Sequence, residues 1–196
     1  NYLGNACGKV CPTEVLCEGV CVFKKQKIKS LEIGRLQTFA TTTAIVHNKK
    51  LFAVSENKRA KVAVIGAGPA GIACACELRL HGYLVDIYEE KAQPSGLLIH
   101  GVAPYKIENL EITTEINYLQ SIFGFTVHYN SPIKTKTDLQ KLEKTYSAIF
   151  LGIGLGNTKS LNIRGEDLKN CIGATEFIEQ LKLNRLTTGV GKKVVV

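Results

Sequence analysis

The 196-residue sequence contains no methionine. It has no apolar run near the roughly 20 residues that cross a bilayer as a helix. It does not open with the charged, apolar and small-residue pattern of a secretory signal. The first absence leaves the chain without an initiator of its own, so it reads as a piece of something larger. The other two argue against a helical membrane anchor and give no reason to leave the cytoplasm, so a cytoplasmic protein without a membrane partner is expected. There is no internal repeat and no low-complexity tract. The four histidines, His47, His81, His100 and His128, share no spacing with an acid and a nucleophile, so no catalytic triad can be argued.

What is present is ordinary in bulk and uneven in charge. A hydrophobic content of 45% is that of a globular protein. The length suffices for a real core, as one domain or one domain plus part of another. Of the net +8, almost all lies in residues 1–61, which hold 11 Lys and Arg against 4 Asp and Glu; the remainder holds 14 and 13. Aromatic residues are not interleaved with these cations as a nucleic-acid surface would need, so no nucleic acid partner is expected. A solvated cationic face is one reading. A positive surround for an anionic metal cluster or an acidic partner is the other.

The front third reads as helix and loop. Thr13 is placed to cap a short helix that would bring Cys17 and Cys21 onto one face. A second helix is expected from about Leu31 to His47, with Ile33, Leu36, Phe39 and Ala40 as its apolar stripe. Residues 49–60 are polar and charged enough for a linker. Strands and helices then alternate. Lys61–Gly66 is a buried strand, Pro69–His81 a helix closed by Gly82, and Leu84–Glu89 a second strand. Leu110–Phe123 is an amphipathic helix, Phe125–Tyr129 a strand, Asp138–Tyr146 a helix and Ala148–Gly152 another buried strand. Ala174–Leu183 is a helix, and Lys192–Val196 begins a strand. This alternation predicts a parallel α/β sheet.

Gly66, Gly68 and Gly71 form G-x-G-x-x-G at a strand–helix junction, the context that gives the motif its meaning. The first glycine permits the tight turn, the second lets backbone approach a pyrophosphate, and the third lets the helix lie close to the strand. The pyrophosphate would rest on the helix N-terminus, where free N–H groups and the dipole favour an anion. Glu89 follows Gly71 by eighteen residues. A carboxylate there accepts from ribose hydroxyls and repels a 2′-phosphate, which suits FAD or NAD better than NADP.

Cys7, Cys11, Cys17 and Cys21 are separated by three, five and three residues. A disulfide frame does not suit a chain without a secretory signal. Zinc pairs are usually two to four apart and often include histidine, which is missing nearby. Iron–sulfur ligation is possible, although the spacing matches neither common ferredoxin run. Cluster ligands, zinc ligands and plain buried thiols all remain open on spacing alone.

The segments CGKVCPTEVLCEGVC, IGRLQ, VAVIGAGPAG, SGLLIHGVAPYK, IFLGIG and GED, in this order and spacing, resemble one family. It is the FAD and iron–sulfur oxidoreductase family that contains the glutamate synthase small subunit and the N-terminal half of dihydropyrimidine dehydrogenase. The resemblance covers essentially the whole chain. It implies an α/β fold: a Rossmann-like FAD-binding domain at 61–190, preceded by a partial helical iron–sulfur domain at 1–48 and followed at 191–196 by the first strand of a truncated NAD(P)H-binding domain. It implies FAD, [4Fe–4S] clusters and NAD(P)H as cofactors of the intact protein, with the NAD(P)H site beyond these residues.

By the same resemblance Cys11, Cys17 and the side chain of Gln37 serve one cluster and Cys21 the other, while Cys7 is no ligand. The remaining donors fall in a cysteine cluster ahead of Asn1, so neither cluster is expected to be complete in this chain. A carboxamide at Gln37, in place of a glutamate, resembles the dihydropyrimidine dehydrogenase branch, as does FLGIGL. A neutral ligand would lower the cluster's negative charge and shift its potential. For the flavin, Gly66, Ala67, Gly68, Pro69, Ala70 and Gly71 are implied at the pyrophosphate and Glu89 at the adenosine ribose. Gly96, Leu97 and Lys106 are implied along the ribityl and isoalloxazine side, and Ile133 near the adenine. Where the family has a glycine doublet this chain has Ser95-Gly96.

The implied function is hydride transfer from NAD(P)H to FAD, with electrons leaving through the clusters to an electron-accepting catalytic subunit or domain. The flavin does that chemistry, so no acid–base catalyst is named, and the chain alone is not expected to be active. Two other classes compete: a zinc-clipped α/β interaction module without enzymatic activity, and an ordinary NAD-dependent dehydrogenase. The cysteines and the lack of an acid–base pair count against the latter. Cys74 and Cys76 read as helix packing, and Cys171 is isolated.

Overall fold

The computed structural model describes residues 2–56, 60–156, 158–183 and 190–196. In chain order its front part holds α1 (Gly4–Val10), α2 (Val22–Lys25) and α3 (Ile33–Val46). Next come β1 (Lys61–Ile65), α4 (Pro69–Leu80), β2 (Leu84–Tyr88), α5 (Leu97–His100) and α6 (Asn109–Phe123). The last are β3 (Thr126–His128), α7 (Lys136–Thr145), β4 (Ala148–Leu151) and α8 (Ala174–Lys182).

The four strands form one parallel sheet in the order β3-β2-β1-β4. Ala63 of β1 stands opposite Asp86 of β2 on one side and Ile149 of β4 on the other. The apolar run of β1 is what a strand covered on both faces requires. On one face Val64, Val85 and Ile87 pack with Ile72, Ala75 and Cys76 of α4 and Ile116, Leu119 and Phe123 of α6. On the other, Ala63 and Ile65 pack with Leu142 and Tyr146. Local signals mark the helix ends. Pro69 opens α4, its missing N–H being one no helix would bond. Thr135 and Asp138 cap α7 reciprocally, each backbone N–H 3.1 Å from the other's side-chain oxygen. Gly124, at φ 67°, stops α6.

The front segment is packed onto this domain. Leu3 joins the main core, and the rings of Tyr2, Phe52 and Phe123 meet at 5.1–5.4 Å. The buried Glu115 of α6 accepts from the N–H groups of Asn5 (2.7 Å) and Ala6 (3.0 Å) at the start of α1. It thereby satisfies donors that the first turn of a helix leaves unpaired.

Four expectations for individual elements need correcting. No helix opens at Thr13: residues 13–20 are turns, because the Thr13 carbonyl collects the N–H groups of Leu16, Glu18 and Gly19 and closes the chain on itself. Cys17 and Cys21 therefore share no helical face. The apolar stripe of α3 is not its buried side, since Leu36 is 58% and Phe39 73% exposed, while Gly34 and Ala44 are buried. Helix α3 meets α1 through small residues, and a methyl group at Gly34 would stand 3.0 Å from the Gly8 carbonyl oxygen. β4 is not a buried strand: it pairs only with β1 and forms the sheet edge, with Leu151 63% exposed. Lys192–Val196 is not a strand, and its valines are exposed. Among the described residues no helix is long and apolar enough to cross a membrane.

Candidate functional site

In a parallel sheet the crevice at the carboxyl ends of the strands opens where the strand order reverses. Here that point lies between β1, whose next element folds back toward β2, and β4 on its other flank. β1 leads at this point into Gly66, Ala67 and Gly68. Gly66 has φ 97°, and its N–H donates to the Tyr88 carbonyl at 2.8 Å. A methyl group there would stand 2.5 Å from the Gly152 oxygen, and one at Gly71 would stand 1.9 Å from the Gly66 oxygen. Both positions exclude a side chain because backbone already fills the space. Gly68 differs: a methyl group there would meet only the Gly152 oxygen, at 4.0 Å. The turn thus leaves an open side at the N-cap of the 12-residue α4, where unpaired N–H groups and the helix dipole attract an anion.

Two further segments close on this turn. Glu89, buried just past β2, accepts the Ala67 N–H at Oε2 (2.7 Å) and the Lys91 N–H at Oε1 (2.9 Å). Each carboxylate oxygen keeps lone-pair capacity for a further donor. From the other side the Ser95 N–H donates to the Ala67 oxygen at 2.7 Å. A methyl group at Gly96, which has φ 47°, would stand 3.2 Å from the Gly68 Cα. The structure therefore brings Gly66 to Gly71, Glu89 and Gly96 together. Leu97 follows as the exposed first residue of α5, and Lys106 lies in an exposed turn beyond it. Ile133 packs against the cluster formed by Ala63, Ile65, Leu142 and Tyr146. No hydrogen bond among the described residues ties Lys106 or Ile133 to the turn.

Sequence reasoning missed the support behind α5. Lys91 Nζ and His100 Nδ1 stand 2.8 Å and 3.0 Å from Glu179 Oε1 of α8. The His100 approach is close without being a well-aligned hydrogen bond, and both ring nitrogens are buried without such a partner. Burial, then the charge of Lys91, holds the His100 pKa below its ordinary value, with Glu179 pulling the other way. Against the raising effect of its own burial, Lys91 and His100 keep the Glu179 carboxyl below its usual range. The buried Lys182 donates to the carbonyls of Leu98 (2.7 Å) and Ile107 (3.2 Å). Burial lowers its pKa as well. α8 thus grips the loop that carries Gly96, Leu97 and Lys106. The i,i+3 spacing of Glu179 and Lys182 was the only available signal, and their partners lie some eighty residues earlier in the chain.

The front residues do not assemble in the same way. Cys11 ends α1, Cys17 is exposed in a turn, and Cys21 precedes α2. Gln37 Nε2 donates to the Gly4 carbonyl at 2.7 Å, a bond that does not engage its Oε1. Cys7 packs against the main core. Among the described residues no group of three or more His, Cys, Asp and Glu side chains could hold a metal ion. As placed, Cys11, Cys17 and Cys21 do not gather at one metal site.

A parallel sheet, a glycine turn open at a helix N-terminus and a carboxylate ending the second strand define a dinucleotide-binding α/β domain. Residues 60–196 match the family described as pyridine nucleotide-disulphide oxidoreductase, and the chain belongs to that family. Residues 1–49 match dihydropyrimidine dehydrogenase domain II, 4Fe-4S cluster. Among curated relatives, the small chain of glutamate synthase [NADPH] from Azospirillum brasilense is 30% identical over 91% of this chain and 37% of its own length. The NAD-dependent dihydropyrimidine dehydrogenase subunit PreT of Escherichia coli (strain K12) is 32% identical over 82% of the chain and 39% of its own length. The NADPH-Fe(3+) oxidoreductase subunit beta of Geobacter sulfurreducens is 34% identical over 99% and 29%. The chain therefore spans less than two fifths of each of these relatives. Among solved structures, Mycobacterium tuberculosis FprA in complex with NADPH superposes with a TM-score of 0.56 at 25% identity, covering 63% of this chain and 29% of FprA. The resemblance read from the motifs is borne out, as is the α/β fold. FAD, NAD(P)H and a [4Fe–4S] cluster are the cofactors of the matched families.

Proposed function

We propose that residues 61–190 are the FAD-binding domain of an NAD(P)H-dependent oxidoreductase. The observation that carries this is the open side of Gly68, flanked by Glu89 and by Ser95-Gly96. The segment from Gly66 to Gly71, including Ala67, Pro69 and Ala70, receives the pyrophosphate, with its charge facing the N–H groups of α4. Glu89, already oriented by two backbone N–H groups, accepts from the adenosine ribose. Gly96 and Leu97 line the ribityl and isoalloxazine side, Lys106 presents a positive charge beyond them, and Ile133 contributes apolar surface near the adenine. When bound, FAD supplies hydride acceptance from the nicotinamide and one-electron release. The protein's share is to hold that cofactor and exclude water from it. α8 does part of this by fixing α5 through Lys182 and Glu179.

Residues 1–48 are assigned as a partial iron–sulfur domain and 49–60 as the segment joining it to the flavin domain, with 191–196 entering a nicotinamide-binding domain. Cys11, Cys17 and Gln37 are assigned to one cluster and Cys21 to a second, and because the three cysteines do not gather at one metal site, no electron-transfer step is written through them. Relatives that are subunits of larger enzymes support an electron-accepting catalytic subunit or domain as partner. Titration with FAD tests the reading. Saturable quenching of flavin fluorescence at one FAD per chain is expected, and it should weaken in Glu89→Lys. No binding of FAD, or equal binding by Glu89→Lys, would overturn it.

A further inference from the structure

The strap between β2 and α5 bears two costs at one residue. Ser95 has φ 77°, in the left-handed region that disfavours a side chain. The other described non-glycine residues with positive φ are Lys27, Asn48, Asn130 and Asn162, and all four are exposed. Ser95 is 1% exposed, and its Oγ has no hydrogen-bond partner. A buried hydroxyl left unpaired loses its hydration with nothing in return. Strain persists at a buried position only where the surroundings enforce it, and there it points to function.

The surroundings also point to what is missing. The Ser95 N–H is bonded to the Ala67 oxygen, and Gly96 lies against Gly68, so the residue is strapped to the open side of the α4 N-cap. None of the acceptors nearby is placed to bond the Ser95 hydroxyl, and each already takes a backbone N–H. The Ala67 carbonyl takes Ser95's own N–H, and the Glu89 oxygens take Ala67 and Lys91. An acceptor from outside the chain is the complement of this arrangement. We infer that the Ser95 hydroxyl is a phosphate-binding donor, contributing a hydrogen bond to the pyrophosphate of the bound dinucleotide beside the first N–H groups of α4. The inference rests on the flavin reading and adds to it a residue chosen by its strain and its orphaned oxygen. A hydroxyl-to-phosphate bond is charge-assisted and among the stronger kinds. The internal alternative is Gln93, whose Oε1 is also buried without a partner two residues earlier, or a trapped water.

Two variants separate hydroxyl from strain. Ser95→Ala keeps the Cβ at positive φ and removes only the hydroxyl, whereas Ser95→Gly removes both. Dissociation constants are measured for FAD by flavin fluorescence, and for ADP and adenosine by calorimetry, alongside thermal melts without nucleotide. The expected result is about tenfold weaker binding of FAD and of ADP by both variants, equal to about 1.4 kcal/mol. Adenosine, which has no phosphate, should bind both variants as it binds the wild type. Without nucleotide, Ser95→Ala should melt no lower than wild type and Ser95→Gly higher. Undiminished FAD and ADP affinity in Ser95→Ala, or an equal loss for adenosine, overturns the assignment. A lower melting temperature for Ser95→Ala also overturns it, by showing an internal partner. If the wild type binds ADP in a Ser95-dependent way but not FAD, the flavin reading falls and the hydroxyl assignment stands. If it binds neither, both fall.

Discussion

Gly68 and Gly71 belong to one turn and answer to different demands. A methyl group at Gly71 would stand 1.9 Å from the Gly66 oxygen, so Gly71→Ala must lift α4 from the sheet. A stability loss of about 1–3 kcal/mol is expected. At Gly68 the N-cap geometry, φ −68° and ψ 177°, suits any residue, and the space is open. Gly68→Ala should keep its stability within about 0.5 kcal/mol while its methyl group occupies the pyrophosphate's place, so FAD binding is lost. Thermal melts and a flavin titration of both variants check this, and equal destabilisation would make Gly68 a packing glycine as well. These residues were legible because a β–α turn writes its needs within a few positions. Glu89 was legible for the same reason, as a carboxylate at a fixed distance down the next strand. Ser95 was not, because serine does not announce a positive φ and its orphaned oxygen exists only in the fold.

At the scale of elements, α3, α4, α6, α7 and α8 were legible from their periodicity and caps, whereas the short α1, α2 and α5 were not, and neither were the partners of any helix. The stripe on α3 looked like a core face. Its true contact is with the small residues of α1, leaving Leu36 and Phe39 outside. α1 in turn is held by Glu115, which the helical pattern of α6 marks only as one polar position among apolar ones. In Glu115→Gln an amide nitrogen would face one of the Asn5 and Ala6 N–H groups. A loss of about 1–3 kcal/mol is expected, read as faster hydrogen exchange at α1. The α5–α8 contact adds a pH dependence. His100 titrates below its ordinary value of 6.5 because it is buried and faces Lys91, despite Glu179. The unfolded chain therefore takes up its proton more readily, so stability is full above that ordinary value and falls as pH drops through it toward the folded value. His100→Gln should flatten this acid-side decline in melting temperature between about pH 8 and about pH 5. An unchanged slope would assign the decline to other groups.

Over the whole molecule, two regions of the same chain differ in how completely their sites are built. The flavin-side turn is assembled from contacts that lie entirely within the described chain: β1 to α4, Glu89 to Ala67, Ser95 to Ala67. The cysteine segment is cationic and well packed at Leu3 and Ala6, yet its thiols stay dispersed between a helix end, a turn and a loop. A cubane cluster needs four donors converging on one point. On the proposed assignment Cys11, Cys17 and Gln37 give three donors to one cluster and Cys21 gives one to the other, so neither cluster reaches four within this chain. Anaerobic reconstitution of this chain with iron and sulfide should therefore yield well below four irons per chain. The thiols should also label in the order of their exposure. Cys17 and Cys171, both on the surface, should react first with a maleimide. Cys76, fully buried with its pKa pushed up to about 12 by burial and by neighbouring Glu77, should react last. Four irons per chain, held stably and protecting Cys11, Cys17 and Cys21 together from the label, would show that the front segment closes around a cluster by itself.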